Sequence, residues 1–150
     1  MKVVIQRVLK ASVEINNRSY SSINSGLLVL LGIEDLDDST DVEWLVNKII
    51  NIRIFEDLDG LMNLSLKDID GELLLVSQFT LHASTKKGNR PSYKKAAKSN
   101  ISEPLYNKFI ESLRNLLAKR VKTGVFGEDM KVSLLNDGPV TIIIDSKDRQ

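Results

Sequence analysis

The run Leu27-Leu28-Val29-Leu30-Leu31-Gly32-Ile33 constrains the fold more than any other feature of the chain. Residues 27–33 carry no polar side chain, so an extended strand here must be buried on both faces. The rest of the chain has to supply both covers. Residues 40–50 place Val42, Leu45, Val46, Ile49 and Ile50 on one helical stripe, and Thr40 with Glu43 has capping-box spacing. A second helix is expected from about Ser102. Pro104 is tolerated in its first turn, and Leu105, Phe109, Ile110, Leu113, Leu116 and Leu117 form its buried stripe.

The remaining order reads mainly as strands. Val3, Ile5 and Arg7 alternate with Val4, Gln6 and Val8; Val13 and Ile15 continue the extended pattern, and Asn16-Asn17 offers a hairpin turn. Residues 57–60 read as a turn and residues 72–81 as a strand. Further strands are expected near 121–126, 130–135 and 140–145, with Asp137-Gly138 turning between the last two. Many strands, two helices and no regular βα alternation indicate the α+β class. The expectation is a mainly antiparallel, barrel-like sheet with two long amphipathic helices, in a single domain spanning residues 1–150. A chain of this length buries about 68–70% of its unfolded surface and needs no covalent staples.

Composition removes several chemistries. There is no cysteine, hence no thiol nucleophile and no thiolate zinc site, and His82 is the one histidine. No metal and no cofactor are expected. The apolar run at Val3-Val4-Ile5 is broken by Gln6 and Arg7, and residues 27–31 are far too short to span a bilayer. The expectation is a cytoplasmic protein with no membrane partner.

The formal charge of +1 conceals a polarised molecule. Between Leu73 and Ser102 there is no acid, but there are six cations: Lys86, Lys87, Arg90, Lys94, Lys95 and Lys98. The remainder, with 15 bases and 20 acids, is −5. A basic segment of this kind is either a solvated face or a phosphate-binding strip. Gly88 and Pro91 shape it as a loop, and Lys94, Lys95 and Lys98 are expected to share a helical face after it, which favours the strip. A patch that is mostly lysine suits backbone phosphates rather than base reading.

Two polar stretches interrupt apolar patterns. Ser77-Gln78-Phe79-Thr80-Leu81 ends the expected strand just before the basic loop, as a strand does on leaving a core. Asn136-Asp137-Gly138-Pro139-Val140-Thr141 reads as an ordinary turn. Together with Gln6-Arg7-Val8, residues 26–32, Met62-Asn63-Leu64-Ser65, Lys87-Gly88-Asn89-Arg90-Pro91-Ser92, and Gly124-Val125-Phe126-Gly127 with Met130, these stretches resemble the D-aminoacyl-tRNA deacylase (D-tyrosyl-tRNA deacylase) family. The resemblance runs in order over essentially the whole chain. It implies an enzyme that hydrolyses the ester between a D-amino acid and the tRNA 3′ end, and a homodimer with active sites at the subunit interface. It gives Ser77, Gln78, Phe79 and Thr80 to the catalytic pocket, and Gly138 and Pro139 to a cis dipeptide that projects into the partner's pocket as a chiral gate. Arg7 is implied to hold that dipeptide, and Phe126 and Met130 to flank the adenine. A related branch carries Pro-Gln where this chain has Ser77-Gln78, so Ser77 favours the D-specific branch. Two departures are His82, where an aromatic is usual, and Leu61, where a lysine is common.

His82 could serve Thr80 as a base. On a strand, however, side chains two residues apart are separated by about 6.6–7 Å, too far for a direct hydrogen bond, so a surface or loop histidine is the preferred reading. A tRNA ester is already activated by its neighbouring ribose hydroxyl. Positioning and main-chain N–H donors can then suffice, with Thr80 a pocket residue first and a nucleophile second. A steric wall beside the α-carbon would exclude L side chains, tolerate D side chains broadly and leave glycyl-tRNA as a substrate. Competing readings are an RNA-binding module that uses the lysines alone and a hydrolase of small esters.

Overall fold

The computed structural model describes residues 1–149. Its organising element is β1 (Lys2–Ile15), a strand long enough to hold three partners. Along one edge its first half pairs antiparallel with β3 (Gly26–Gly32) and its second half with β2 (Arg18–Ile23). Its other edge is taken by β8 (Lys131–Asp145). Beyond β3 the sheet continues through β6 (Glu72–Ser77) to β7 (Val121–Thr123). It curls until the Ser21 hydroxyl on β2 donates to the Thr123 carbonyl on β7 at 2.8 Å, almost closing a barrel.

The class is α+β, as expected, but the sheet is mixed rather than mainly antiparallel. β3 and β6 run parallel, as do β6 and β7. The cause is connectivity. Helix α1 (Ser39–Asn51), followed by the small hairpin of β4 (Phe55–Glu56) and β5 (Met62–Leu64), carries the chain from β3 to β6. Helix α2 (Ser99–Leu117) carries it from β6 to β7. Each is a crossover, which only parallel neighbours require.

The apolar run behaves as its composition demands. Leu27, Val29 and Leu31 of β3, with Leu73 and Leu75 of β6, enter the core beneath both helices. Leu28, Leu74 and Val76 enter a second core on the opposite face, with Val8, Val13 and Ile23.

Local boundaries shift for identifiable reasons. The capping box of α1 is made by Asp38 and Asp41, not Thr40 and Glu43. The Asp38 carboxylate accepts from the Thr40 amide at 2.8 Å, and the Asp41 carboxylate accepts from the Asp38 amide at 3.0 Å. Helix α2 starts at Ser99, three residues early, because the Ser102 hydroxyl donates back to the Lys98 carbonyl at 3.0 Å and so sits inside the first turn. Lys98 is the N-cap and Lys94 and Lys95 precede the helix, so the three lysines share no helical face. In the α2 stripe Tyr106 is fully buried, whereas Leu116 is exposed. The strand expected over 121–126 stops at Thr123. The strands expected near 130–135 and 140–145 are one strand, and both halves pair with β1 instead of with each other.

Asp41 locks the end of the chain onto α1. The Lys147 ammonium donates to its carboxylate at 2.7 Å. Burial pushes the Asp41 carboxyl up, but hydrogen bonds from Lys147, the Asp38 amide and Ser146 outweigh it and bring the group down to about 2. A pKa depressed below the unfolded value of 3.8 stabilises the fold fully above that pH, and the contribution fades as pH falls through 2. Asp41→Asn is therefore expected to cost about 2 kcal/mol at pH 7 and roughly half that at pH 3, read from urea unfolding of both proteins at each pH.

Candidate active site

Strand β6 leaves the sheet at Ser77. The Gln78 amide donates to the Leu31 carbonyl at 2.7 Å, one last contact with the end of β3. The chain then tightens into a 3-10 turn over Phe79–His82, where the sequence pattern predicts continued strand. The turn closes through Leu81 N–H to the Gln78 carbonyl and Ala83 N–H to the Thr80 carbonyl, at 3.2 and 3.0 Å. The Phe79 and Thr80 amides, the first two of the turn, have no partner within it.

Ser77, Gln78 and Phe79 line a pocket of about 390 Å³. Phe126 and Met130 line it from the segment after β7, and Ser99 and Ser102 from the start of α2. Thr80 is not in the lining. It stands behind Gln78, whose side-chain amide donates to the Thr80 hydroxyl at 2.6 Å. Thr80 thus orients the glutamine. No hydrogen bond joins it to His82 among the described residues. His82 is buried rather than at the surface, and its Nε2 lacks a partner among them. The 3-10 turn accounts for that burial, because it folds the histidine inward where a continuing strand would have carried it onto the loop.

The far wall is fixed from below. Phe126 packs on Tyr106 with ring centroids 5.5 Å apart. The Tyr106 hydroxyl donates to the Leu75 carbonyl at 3.2 Å, and burial pushes it well above the usual tyrosine range. Gly124 lets Met130 lie in the pocket: a β-carbon at 124 would come within 2.4 Å of the Met130 sulfur. Glu128 and Asp129 also line this wall. They fall outside every motif read from the sequence, and only the turn after Phe126 brings them here. Among the described residues, no three acidic or histidine side chains gather as metal ligands.

Gly138 and Pro139 lie on an excursion of β8. Between the pairs Gln6–Thr141 and Val8–Asn136, a single β1 residue, Arg7, faces residues 137–140. Gln6 spans the base of this bulge, its side-chain carbonyl accepting from Asn136 at 2.8 Å and from Thr141 at 3.2 Å. Arg7, only 5% exposed, holds the bulge itself. Its Nε lies 3.3 Å from the Asp137 carbonyl and 3.1 Å from the Asp137 carboxylate, while Nη1 donates to the Ile54 carbonyl at 2.7 Å. The Gly138–Pro139 bond is cis, and both residues are exposed. Gly138 has φ +116°, and a β-carbon there would come within 3.0 Å of Arg7 Nη2. The dipeptide does not line the pocket of its own chain.

The six cations lie in sequence between two pocket-lining residues, Phe79 and Ser99. Lys86, Lys87 and Arg90 sit in an exposed loop closed by reciprocal backbone bonds between Ser84 and Ser92, at 2.8 and 2.9 Å. Lys94, Lys95 and Lys98 follow, also exposed. None of the six is ion-paired among the described residues.

Residues 4–145 match the family described as D-Tyr-tRNA(Tyr) deacylase. The chain is 62% identical over 150 residues to a D-aminoacyl-tRNA deacylase of Flavobacterium psychrophilum and 61% identical over 150 residues to one of Christiangramia forsetii, with 100% of both chains covered in each case. Its fold is similar to a solved structure of the c-Myc DNA unwinding element binding protein, with a TM-score of 0.92, 43% identity, and 97% of this chain and 98% of that one covered. The chain belongs to the D-Tyr-tRNA(Tyr) deacylase family.

Arg7→Ala would strand the Ile54 and Asp137 carbonyls. It is expected to destabilise the protein by about 2 kcal/mol in urea unfolding, and Arg7→Lys to restore less than half of that, because an ammonium cannot reach both carbonyls as the guanidinium fork does.

Proposed function

We propose that the chain hydrolyses D-aminoacyl-tRNA to free tRNA and a D-amino acid, and spares the L-ester. The observation that carries this reading is the convergence of Ser77, Gln78, Phe79, Phe126 and Met130 on one pocket, beside a cationic loop, in a member of this family.

Phe126 and Met130 would hold the terminal adenine between apolar walls, with the ester against the Ser77–Phe79 side. The Phe79 amide, which starts the turn at the pocket wall, is suited to polarise the ester carbonyl as negative charge develops on its oxygen. Water adds to the carbonyl carbon, and the bond from the acyl carbon to the ribose 3′-oxygen breaks. The ribose oxygen takes a proton and the amino acid leaves as its carboxylate. The neighbouring 2′-hydroxyl is placed to assist, and no side-chain nucleophile is required. Gln78, steadied by Thr80, would fix substrate or water.

Chirality would be read by exclusion. Gly138-Pro139 is exposed, held through Asp137 by Arg7 and outside its own pocket, which suits a dipeptide inserted into the pocket of a second copy. The working form is then a homodimer with each gate supplied by its partner. A wall beside the α-carbon rejects any L side chain, tolerates D side chains broadly and leaves glycyl-tRNA as a substrate. Lys86, Lys87, Arg90, Lys94, Lys95 and Lys98 would take the tRNA backbone, in the cytoplasm where charged tRNA is found. Lys98 at the positive end of α2, with no acid in the first turn, gains from a nearby phosphate.

Matched D- and L-tyrosyl-tRNA test the reading: hydrolysis of the D-ester alone is expected, and equal rates on both or none on either overturn it. In the same assay, Thr80→Ala is expected to lower kcat by less than about tenfold, whereas removing a true nucleophile costs on the order of a millionfold.

A further inference from the structure

Phe79 and Tyr93 are the exposed aromatic residues at the junction of the pocket and the cationic loop. Phe79 is 56% exposed and Tyr93 40% exposed. Their rings meet edge to face, 5.1 Å between centroids and 71° between planes. That geometry leaves at least one face of each ring uncovered by the other. Phe79 is part of the pocket wall, whereas Tyr93 is outside it.

Tyr93 is also held in place. The reciprocal Ser84–Ser92 bonds end one residue before it, and its carbonyl accepts from the Ala96 amide at 3.0 Å. The Ala97 amide then donates to the Ile33 carbonyl at 2.9 Å, tying the segment to the end of β3. Lys94 and Lys95 follow directly. A pre-ordered, exposed aromatic pair flanked by exposed cations has the composition of a single-strand stacking platform, in which cations take the backbone and rings take the bases.

We infer that Tyr93, with Phe79, stacks the base that precedes the terminal adenosine of the tRNA 3′ end. This rests on the deacylase reading and extends it. Phe79 lines the pocket and touches Tyr93, and Lys94 and Lys95 follow Tyr93, so the pair links the pocket that would hold the last nucleoside to the cations that would hold the backbone before it. Stacking needs no particular base, so the contact strengthens binding to any tRNA without selecting among them. Tyr93 would act as a positioning residue that registers the ester in the pocket, with no part in the chemistry.

The test compares D-tyrosyl-tRNA with 3′-D-tyrosyl-adenosine, which lacks the preceding nucleotide. For Tyr93→Ala, the ratio of kcat/KM on tRNA to kcat/KM on the adenosine ester is expected to fall roughly tenfold or more, the size of one lost base–aromatic stack, with the change in KM. Tyr93→Phe should restore the ratio and Tyr93→Leu should not. An unchanged ratio, or a leucine that serves as well as phenylalanine, overturns the proposal. A shift from dimer to monomer in Tyr93→Ala also overturns it and assigns the pair to a subunit contact. A binding arm needs no turnover: an uncharged RNA ending in CCA should lose affinity for the wild-type protein when its second-last base is removed, and Tyr93→Ala should abolish that difference. If the wild type hydrolyses neither ester while this difference holds, the deacylase reading falls and the stacking site stands. If it hydrolyses both and the difference is absent, the reverse is true.

Discussion

Strand β1 is the element on which the rest of the molecule depends. Its fourteen residues saturate both backbone edges, with β8 on one and β3 followed by β2 on the other. Its N-terminal half fixes the position of β3, whose last carbonyls hold the Gln78 amide and, through Ile33, the start of α2. The same half carries Gln6 and Arg7, which clamp the bulge bearing Gly138 and Pro139. The pocket and the exposed dipeptide are therefore registered from one piece of backbone, although they lie apart in a single chain. A shift of β1 by one residue would reverse every side chain on it, burying Gln6 where Ile5 belongs and releasing both sites together.

The parts of this architecture that depend on residue type were legible in the sequence. Leu27 to Ile33 could only be a strand covered twice, and the α1 stripe lies where its spacing put it. The cations between Leu73 and Ser102 were visible as a charge pattern, and they are exposed and without an ion pair among the described residues. What depends on partners was not legible. Asp38/Asp41 and Thr40/Glu43 offer the same capping spacing two residues apart. The choice falls to Asp41, whose carboxylate is also wanted by Lys147 from the far end of the chain. The parallel pairing of β3 with β6 was hidden because the β4–β5 hairpin interrupts the crossover that produces it.

Of the candidate site, the sequence showed five residues that meet at one pocket, Ser77, Gln78, Phe79, Phe126 and Met130, but not their geometry. Period-two reading carries a strand through Leu81 and puts Thr80 on the same face as Gln78 and His82. The 3-10 turn instead sets Thr80 behind Gln78 and buries His82. Asp137-Gly138 has the composition of a hairpin turn. It becomes a bulge because β1 offers pairing partners to both flanks at once, more than the flanks could offer each other. Glu128, Asp129, Ser99 and Ser102 join the pocket only through tertiary placement, and Tyr93 carries no motif that separates it from any loop tyrosine.

The reciprocal bonds between Ser84 and Ser92 divide the cationic segment into two mechanical regimes. Residues 85–91 hang from a clasp, so insertions or deletions among them alter how far the charges reach while the pocket wall stays where it is. Residues 93–96 are strung between that clasp and the Ala97–Ile33 bond, and one residue more or less there would rotate α2 out of phase with its stripe. The loop is thus an adjustable tool on a fixed handle: its length can drift, while the stretch behind it is held to a single length.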